Sequence, residues 1–234
     1  MMARNHVSRT AAKSTAKRSG GLQPSAERGP FACVFIDFQN DFCDPEGVAG
    51  QLGCDLSGVR AAVDNAARLL AWCREAGVPV VHSRHMTERN GLSDSPSWTH
   101  FTNRAGNGTV TLRDSWGAEF LKELKPLDTE LVVEKYRSSA FHGTKLDSLL
   151  RIRGIEHLLV CGVLAEGCVE ATVRDGLHND YFVSVVTDAV ASHSAAIFNA
   201  YLTIAQARYG TFTTDGILER YGAHAGEHAE QESR

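Results

Sequence analysis

The sequence predicts a three-layer α/β/α fold around a mostly parallel, roughly six-stranded sheet. Three observations lead there. Short, continuously apolar runs recur along the chain, and segments with helical spacing separate them. The apolar runs also lack the polar alternation of a strand with one wet face. Strands covered on both sides by intervening helices belong to a parallel sheet with right-handed crossovers, so the architecture is Rossmann-like.

The elements follow in order. Phe31 to Asp37 (FACVFID) reads as a buried strand. A polar loop comes next, through Asp44, Pro45, Glu46, Gly47, Gly50 and Gly53. Leu56, Val59, Val63, Ala66, Leu70 and Cys73 recur at helical spacing; Gly77 closes that helix and Pro79 follows it. Val78 to Val81 is the second strand. Arg84 to Gly117 is long, polar and rich in Ser, Thr, Asn and Gly, which marks a functional loop, and 85–117 is the candidate lid or interface. A helix over 117–125 precedes a strand from Leu131 to Glu134. Thr144 and Asp147 form a T-x-x-D pattern that opens a helix over 145–153, and Gly154 ends it. The strand His157 to Cys161 leads into the tight segment GVLAEGC and a helix over 168–179. A strand from Tyr181 to Thr187, a helix over 194–208 and a short strand near Thr211 to Thr214 complete the domain.

A chain of 234 residues that is 43% hydrophobic suits one domain with a full core. The formal net charge of −4 comes with no basic face, which argues against nucleic acid as a partner. No apolar run approaches the ~20 residues needed to cross a bilayer, and no secretory signal is evident, so a cytoplasmic protein without a membrane partner is expected. Residues 1–30 carry Arg4, Arg9, Lys13, Lys17, Arg18 and Arg28 against the single acid Glu27, and read as a disordered basic tail. The folded domain is expected over 31–222, and 223–234 reads as a polar tail. Of the six cysteines, Cys33, Cys73 and Cys161 fall in apolar segments and read as buried hydrophobes. No phosphate-cradling glycine motif appears, so no nucleotide cofactor is expected.

In open α/β sheets, ligands bind beyond the carboxyl ends of the strands. Asp37 ends the first strand, Lys135 follows the third, and Cys168 stands where the loop after the fourth strand enters a helix. A carboxylate, an amine and a thiol brought to one sheet edge form a chemically sensible set. A helix N-terminus and Lys135 would depress the thiol pKa, so that Cys168 reacts well below the usual ~8.5. Asp37 would take the thiol proton and return it to a leaving amine. Backbone N–H groups of GVLAEGC would form an oxyanion hole. Each residue also has a plainer reading: a strand-end Asp often caps a loop, a Lys is usually solvated and a Cys is usually buried.

The stretches FIDFQNDF, EKYRSSAFHGTKLD and GVLAEGCVEATVRDG, in this order and spacing, resemble the three signature segments of the isochorismatase-like cysteine hydrolases. The resemblance covers roughly 31–215. It implies Asp37, Lys135 and Cys168 as a catalytic triad, a non-proline cis peptide between Val163 and Leu164, and the backbone N–H groups of Leu164 and Cys168 as oxyanion donors. Leu164 stands where members commonly carry Thr; the backbone donor survives that change. The segments KYRSSAF-x-GT and AEGCVEATVRDG are nearer to the ureido and N-carbamoyl amidohydrolases, of the biuret, ureidoacrylate and N-carbamoylsarcosine type. The activity this implies is cleavage of a small ureido, N-carbamoyl or amide substrate through a thioester, with release of ammonia. A vinyl-ether hydrolase of the isochorismatase type and a non-enzymatic interaction module are the alternatives.

Nicotinamidases of the family carry an Asp-x-His metal motif after the second strand. Here that region reads HSRHMTERNG, with His82 and His85 but no third ligand at a recognised spacing, so neither a metal nor another cofactor is expected. Phe42, Trp98, His100, Phe101, Trp116, Arg137 and Phe141 are candidates to line the substrate pocket, with Glu166 as a wall beside the nucleophile turn. Arg84, Arg113 and Arg208 are candidates for a substrate carboxylate. Asp188 stands near the position where the carbamoylsarcosine type has an Arg for that purpose. Relatives commonly form dimers or tetramers, so a homo-oligomer is expected.

Overall fold

The computed structural model describes residues 30–104 and 109–222. The tails expected over 1–30 and 223–234 lie outside the described residues, save Pro30. The strands are β1 (Phe31–Ile36), β2 (Val80–His85), β3 (Leu131–Lys135), β4 (His157–Val163), β5 (Phe182–Ala191) and β6 (Gly210–Phe212). They form one six-stranded sheet in the order β3-β2-β1-β4-β5-β6, and every neighbouring pair is parallel. The helices are α1 (Asn40–Cys43), α2 (Val48–Gln51), α3 (Ser57–Glu75), α4 (Pro96–Arg104), α5 (Leu146–Ile152), α6 (Glu170–His178), α7 (Ala195–Arg208) and α8 (Thr214–Gly222).

The crossover from β1 to β2 runs one way along the sheet and that from β4 to β5 runs the other. Right-handed connections therefore put α3 and α6 on opposite faces. The strand order reverses between β1 and β4, and that switch point is where an α/β sheet opens a crevice for a ligand. Residues 32–36 of β1 are each 1% exposed or less, which explains a run without polar alternation. On α3, Val59, Ala62, Val63, Ala66, Leu69, Leu70 and Cys73 are buried at i, i+3, i+4 spacing against the sheet. Each buried large aliphatic side chain there contributes roughly 1.5–3 kcal/mol.

Several elements differ from the sequence-based expectation. β2 does not stop at Val81 but continues to His85. Its polar residues read as loop, yet His82, Ser83 and His85 are buried with polar partners. His82 bonds Glu130 through Nε2 at 3.0 Å and lies between the Phe35 and Phe120 rings. Ser83 bonds Asp37. The region read as a loop also holds α4, whose Trp98 lies 6.2 Å from the His85 ring at the end of β2. Residues 117–125 are not an α-helix but two 3₁₀ turns, Trp116–Ala118 and Lys122–Leu124. Ala118, Leu121 and Leu124 are buried, each turn placing its last residue inside. Between the turns the chain is drawn out, as Phe120 bridges Gln39 and Leu121 donates its N–H to the Phe38 carbonyl at 2.9 Å. β5 runs past Thr187 to Ala191, and α8 lies beyond the last strand that the sequence pattern shows. Thr144 does open α5, accepting from the Leu146 N–H at 3.1 Å, while Asp147 turns to Arg151.

Among the described residues no helix is long and apolar enough to cross a membrane.

Burial holds the His82 pKa down at about 4, against the pull of Glu130 in the other direction. A histidine neutral in the fold takes up a proton on unfolding at any pH below its ordinary value of 6.5. Stability is therefore full above about pH 6.5 and lost as pH falls toward 4, by on the order of 3 kcal/mol for this residue. His82→Gln is expected to flatten the acid limb of a Tm-against-pH curve, leaving the part that belongs to the similarly buried His85.

Candidate active site

Three strand ends bring Asp37, Lys135 and Cys168 together. Asp37 follows β1 at φ 53°, a left-handed conformation that Asp tolerates better than most residues. The register that pairs Ile36 with Ser83 sets Ser83 beside it, and the Ser83 hydroxyl donates to Asp37 Oδ1 at 2.7 Å. Lys135 ends β3. Its Nζ lies 2.6 Å from Asp37 Oδ2 and donates to Cys168 Sγ at 3.3 Å and to the Arg137 carbonyl at 3.1 Å. Asp37 and Lys135 are 0% and 1% exposed.

Cys168 lies in a single π-helical turn, Ala165–Val169, that joins β4 to α6, and not in the first turn of an α-helix. π turns recur at functional sites. The Val163–Leu164 peptide at its entrance is cis. The Leu164 carbonyl accepts from the N–H groups of Gly167 and Val169, each at 3.1 Å, and Thr172 Oγ1 donates to the Cys168 carbonyl at 2.7 Å. Upstream, Gly162 has φ 139°, and a Cβ there would stand 2.3 Å from the Ile36 carbonyl oxygen. Only glycine lets β4 pass this close to β1, one residue before Asp37.

The electrostatics correct one expectation. Burial pushes the Cys168 thiol up to about 12; Lys135 opposes this, while the Asp37 charge nearby adds to it. The free thiol is therefore protonated at neutral pH and not poised as a thiolate. Burial alone would lower the Lys135 pKa, but Asp37 and Cys168 outweigh it and hold the ammonium above its ordinary range. The resting site is an ammonium bound to a carboxylate, with a protonated thiol beside both.

Cys168 lies on the wall of a cavity of about 530 Å³. That is the size of a small-molecule site. Phe42, Trp98, Phe101 and Glu166 line it, as the sequence reading has them, with Leu164 and Gly167. Other candidates lie elsewhere. Phe141 packs against Tyr181, with ring centroids 5.8 Å apart, in the layer behind the site. The Arg137 guanidinium stacks 4.8 Å from the Trp98 centroid and donates to the Ser93 carbonyl at 2.9 Å, so it backs the wall and does not line it. His100 is exposed, and Trp116 borders a separate surface depression. Arg84 pairs with Glu134, Arg113 with Glu88 and Glu134, and Arg208 is exposed at the end of α7. Asp188 accepts from the Thr214 N–H and hydroxyl at 2.8 and 3.0 Å and anchors α8.

Strand alternation also separates the two histidines. Three residues apart on β2, His82 and His85 project to opposite faces and cannot share an ion. His85 instead lines the cavity, as do Cys54, Ser138, His193 and Ile197. Sequence reasoning missed His85 as a wall residue because it ended β2 too early and offered no register between β2 and β1. His85 and Ser83 are two apart, and the period of a strand extended to residue 85 would have put both beside Asp37.

The geometry and the fold define a class. The family model described as "Isochorismatase domain" matches residues 31–215, and the chain belongs to that family of hydrolases. Among its relatives, ureidoacrylate amidohydrolase RutB of Azorhizobium caulinodans is 33% identical over 186 residues, covering 72% of this chain and 82% of that protein. The enzyme of the same name from Methylobacterium radiotolerans is 32% identical over 206 residues, covering 78% and 80%. A cysteine hydrolase from Pseudomonas syringae pv. phaseolicola superposes with a TM-score of 0.72 at 28% identity, over 82% of this chain and 92% of that one. N-carbamoylsarcosine amidase from Thermoplasma acidophilum does so with a TM-score of 0.64 at 28% identity, over 80% and 97%.

Two outcomes follow from the site's charges. Asp37→Asn removes the anion that raises the thiol pKa and leaves the cation that lowers it, so alkylation of Cys168 by iodoacetamide at pH 7 is expected to speed up, read by mass spectrometry of the labelled peptide. Lys135→Met leaves the Asp37 charge buried and unpaired, at a cost of about 3–5 kcal/mol in urea denaturation, and the double variant with Asp37→Asn is expected to recover most of it.

Proposed function

We propose that this protein is a thiol-dependent amidohydrolase that cleaves a C–N bond of a small ureido, N-carbamoyl or amide substrate and releases ammonia. The observation that carries the reading is Lys135 Nζ at 2.6 Å from Asp37 Oδ2 and 3.3 Å from Cys168 Sγ, at the wall of the cavity. The names of the relatives, ureidoacrylate amidohydrolase and N-carbamoylsarcosine amidase, support the same reaction class.

The thiol sits high in pKa, and Lys135 Nζ bridges it to Asp37, so attack and deprotonation go together. As the Cys168 Sγ bond to the substrate carbonyl carbon forms, the thiol proton passes to Asp37. The Lys135 ammonium offsets the negative charge that develops on sulfur. The carbonyl oxygen becomes an oxyanion, held by the N–H groups of Leu164 and Cys168. Asp37 then donates its proton to the leaving nitrogen, the C–N bond breaks, and ammonia departs from a thioester. Asp37 next takes a proton from a water that attacks the thioester; the C–S bond breaks and the proton returns to sulfur. A carbamoyl substrate yields carbamate, which decomposes to carbon dioxide and a second amine or ammonia.

The test is ammonia release by wild type and Cys168→Ala on biuret, ureidoacrylate, N-carbamoyl amino acids, maleamate and nicotinamide, with isochorismate alongside. Release by wild type alone on one of the amides is expected, and Asp37→Asn should slow it by about 10²–10⁴-fold, the usual worth of a general acid–base. Silence on every amide, with isochorismate consumed by both proteins, would replace this reading with vinyl-ether hydrolysis.

A further inference from the structure

Outside the triad, His85 lines the cavity, and the hydrogen bonds around it fix the state of its ring. Thr111 Oγ1 donates its single proton to the Val110 carbonyl at 2.8 Å. Its contact with His85 Nδ1 at 2.9 Å must then be one in which Nδ1–H donates and Oγ1 accepts. Thr111 is fully buried, and its own N–H is tied to Asp41 Oδ2 at 2.6 Å, so this acceptor is fixed. The imidazole is clasped between Phe42, edge-on at 6.3 Å, and Trp98 at 6.2 Å. Burial first, then the charges of Lys135 and Arg137 against that of Asp37, hold its pKa at about 4. The ring is neutral, Nδ1 carries its one proton, and Nε2 is left as a bare acceptor.

The surrounding charges point the same way. Among the described residues that line the cavity, Glu166 is the only Asp, Glu, Lys or Arg. The Arg137 guanidinium is turned to the carbonyls of Ser93 and Tyr136, and Arg84 and Arg113 are spent on Glu134 and Glu88. Among the described lining residues a substrate carboxylate would meet the Glu166 carboxyl and no Lys or Arg.

We propose that His85, held in its Nδ1–H form by Thr111, is a specificity-determining acceptor for a substrate N–H, and that the cavity thereby selects uncharged ureido or amide substrates over carboxylate-bearing ones. The proposal rests on the amidohydrolase reading above and narrows it. A carboxylate oxygen placed at Nε2 brings no proton to the contact and leaves two desolvated acceptors facing each other, whereas an N–H satisfies both groups.

The experiment compares N-carbamoylglycinamide with N-carbamoylglycine, which differ by an amide nitrogen in place of a carboxylate oxygen. Ureido cleavage is read as glycinamide or glycine released. Wild type is expected to favour the amide by about 100-fold or more in kcat/KM, since a buried site that pairs an N–H strongly rejects the analogue lacking it. His85→Leu and Thr111→Val should bring the two compounds to within about tenfold, mainly through KM for the amide, while Thr111→Ser keeps the preference. The ¹⁵N resonances of the His85 ring in wild type should report a protonated Nδ1 and a bare Nε2. A wild type that prefers the acid, a preference that survives His85→Leu, or an Nε2–H ring would each overturn the assignment of His85 alone. Failure of wild type on both compounds and on biuret, or equal release by Cys168→Ala, would instead overturn the amidohydrolase reading, with the ring tautomer still deciding the fate of the lock.

Discussion

The Lys135–Asp37 ion pair is shut away from water at 2.6 Å, and much of the molecule is arranged so that it can be. A charge in such a place is tolerable only if its remaining lone pairs and protons also find partners. Here Ser83 supplies a proton to the second carboxylate oxygen, and the Arg137 carbonyl and Cys168 sulfur accept from the ammonium. Those groups come from β1, β2, β3 and the turn after β4. A parallel sheet is the economical way to collect them, because all four strands present their carboxyl ends on the same edge.

The residues just after Asp37 organise the loops over that edge. Gln39 donates to the carbonyls of His85 and Ala118 at 2.9 and 2.8 Å and accepts from the His85 N–H at 2.8 Å, so one amide ties β2 to the 3₁₀ segment. Asn40 donates to the Trp116 carbonyl at 2.7 Å. Asp41 accepts from the N–H groups of Thr111 and Val48 at 2.6 and 3.2 Å. Gly117 passes so near that a Cβ would stand 2.2 Å from the Asp41 carboxylate oxygens. The segment FIDFQNDF therefore does two jobs. Its apolar part is the central strand, and its polar part is a set of side-chain anchors that stand in for regular secondary structure in the wall of the cavity. Farther out, Glu88, Arg113, Glu134 and Tyr136 fasten the chain that follows β2 to the edge strand β3.

The wall so built is apolar and aromatic around a small polar centre. Phe42, His85, Trp98 and Phe101 form a continuous run of rings, with Arg137 stacked behind Trp98. Such a wall raises the pKa of the thiol by burial and makes the proton acceptor beside it essential. Under the proposed mechanism the Cys168 thiol works through the Asp37 carboxylate nearby and not through a depressed pKa of its own.

Strands buried on both faces are continuous apolar runs, and helices between them carry a 3.6-residue period, so the sheet, its parallel sense and the place of each strand could be read from the sequence, with β2 and β5 each ended four residues too early. The same holds for Asp37, Lys135 and Cys168, since a reactive residue type at the end of a strand is a local feature of the chain. What the sequence did not reveal is what depends on register. Ser83 and His85 look like loop residues until β2 is paired with β1 and β3, and only that pairing supplies partners for their polar groups. Phe141 and Arg137 follow Lys135 closely in sequence, yet one packs behind the site and the other backs its wall, because a chain leaving a strand end turns away within a few residues. The charge state of Cys168 is likewise a tertiary property. It is set by how deeply the thiol is buried and by which of two opposite charges lies closer, and neither is a property of the neighbours along the chain.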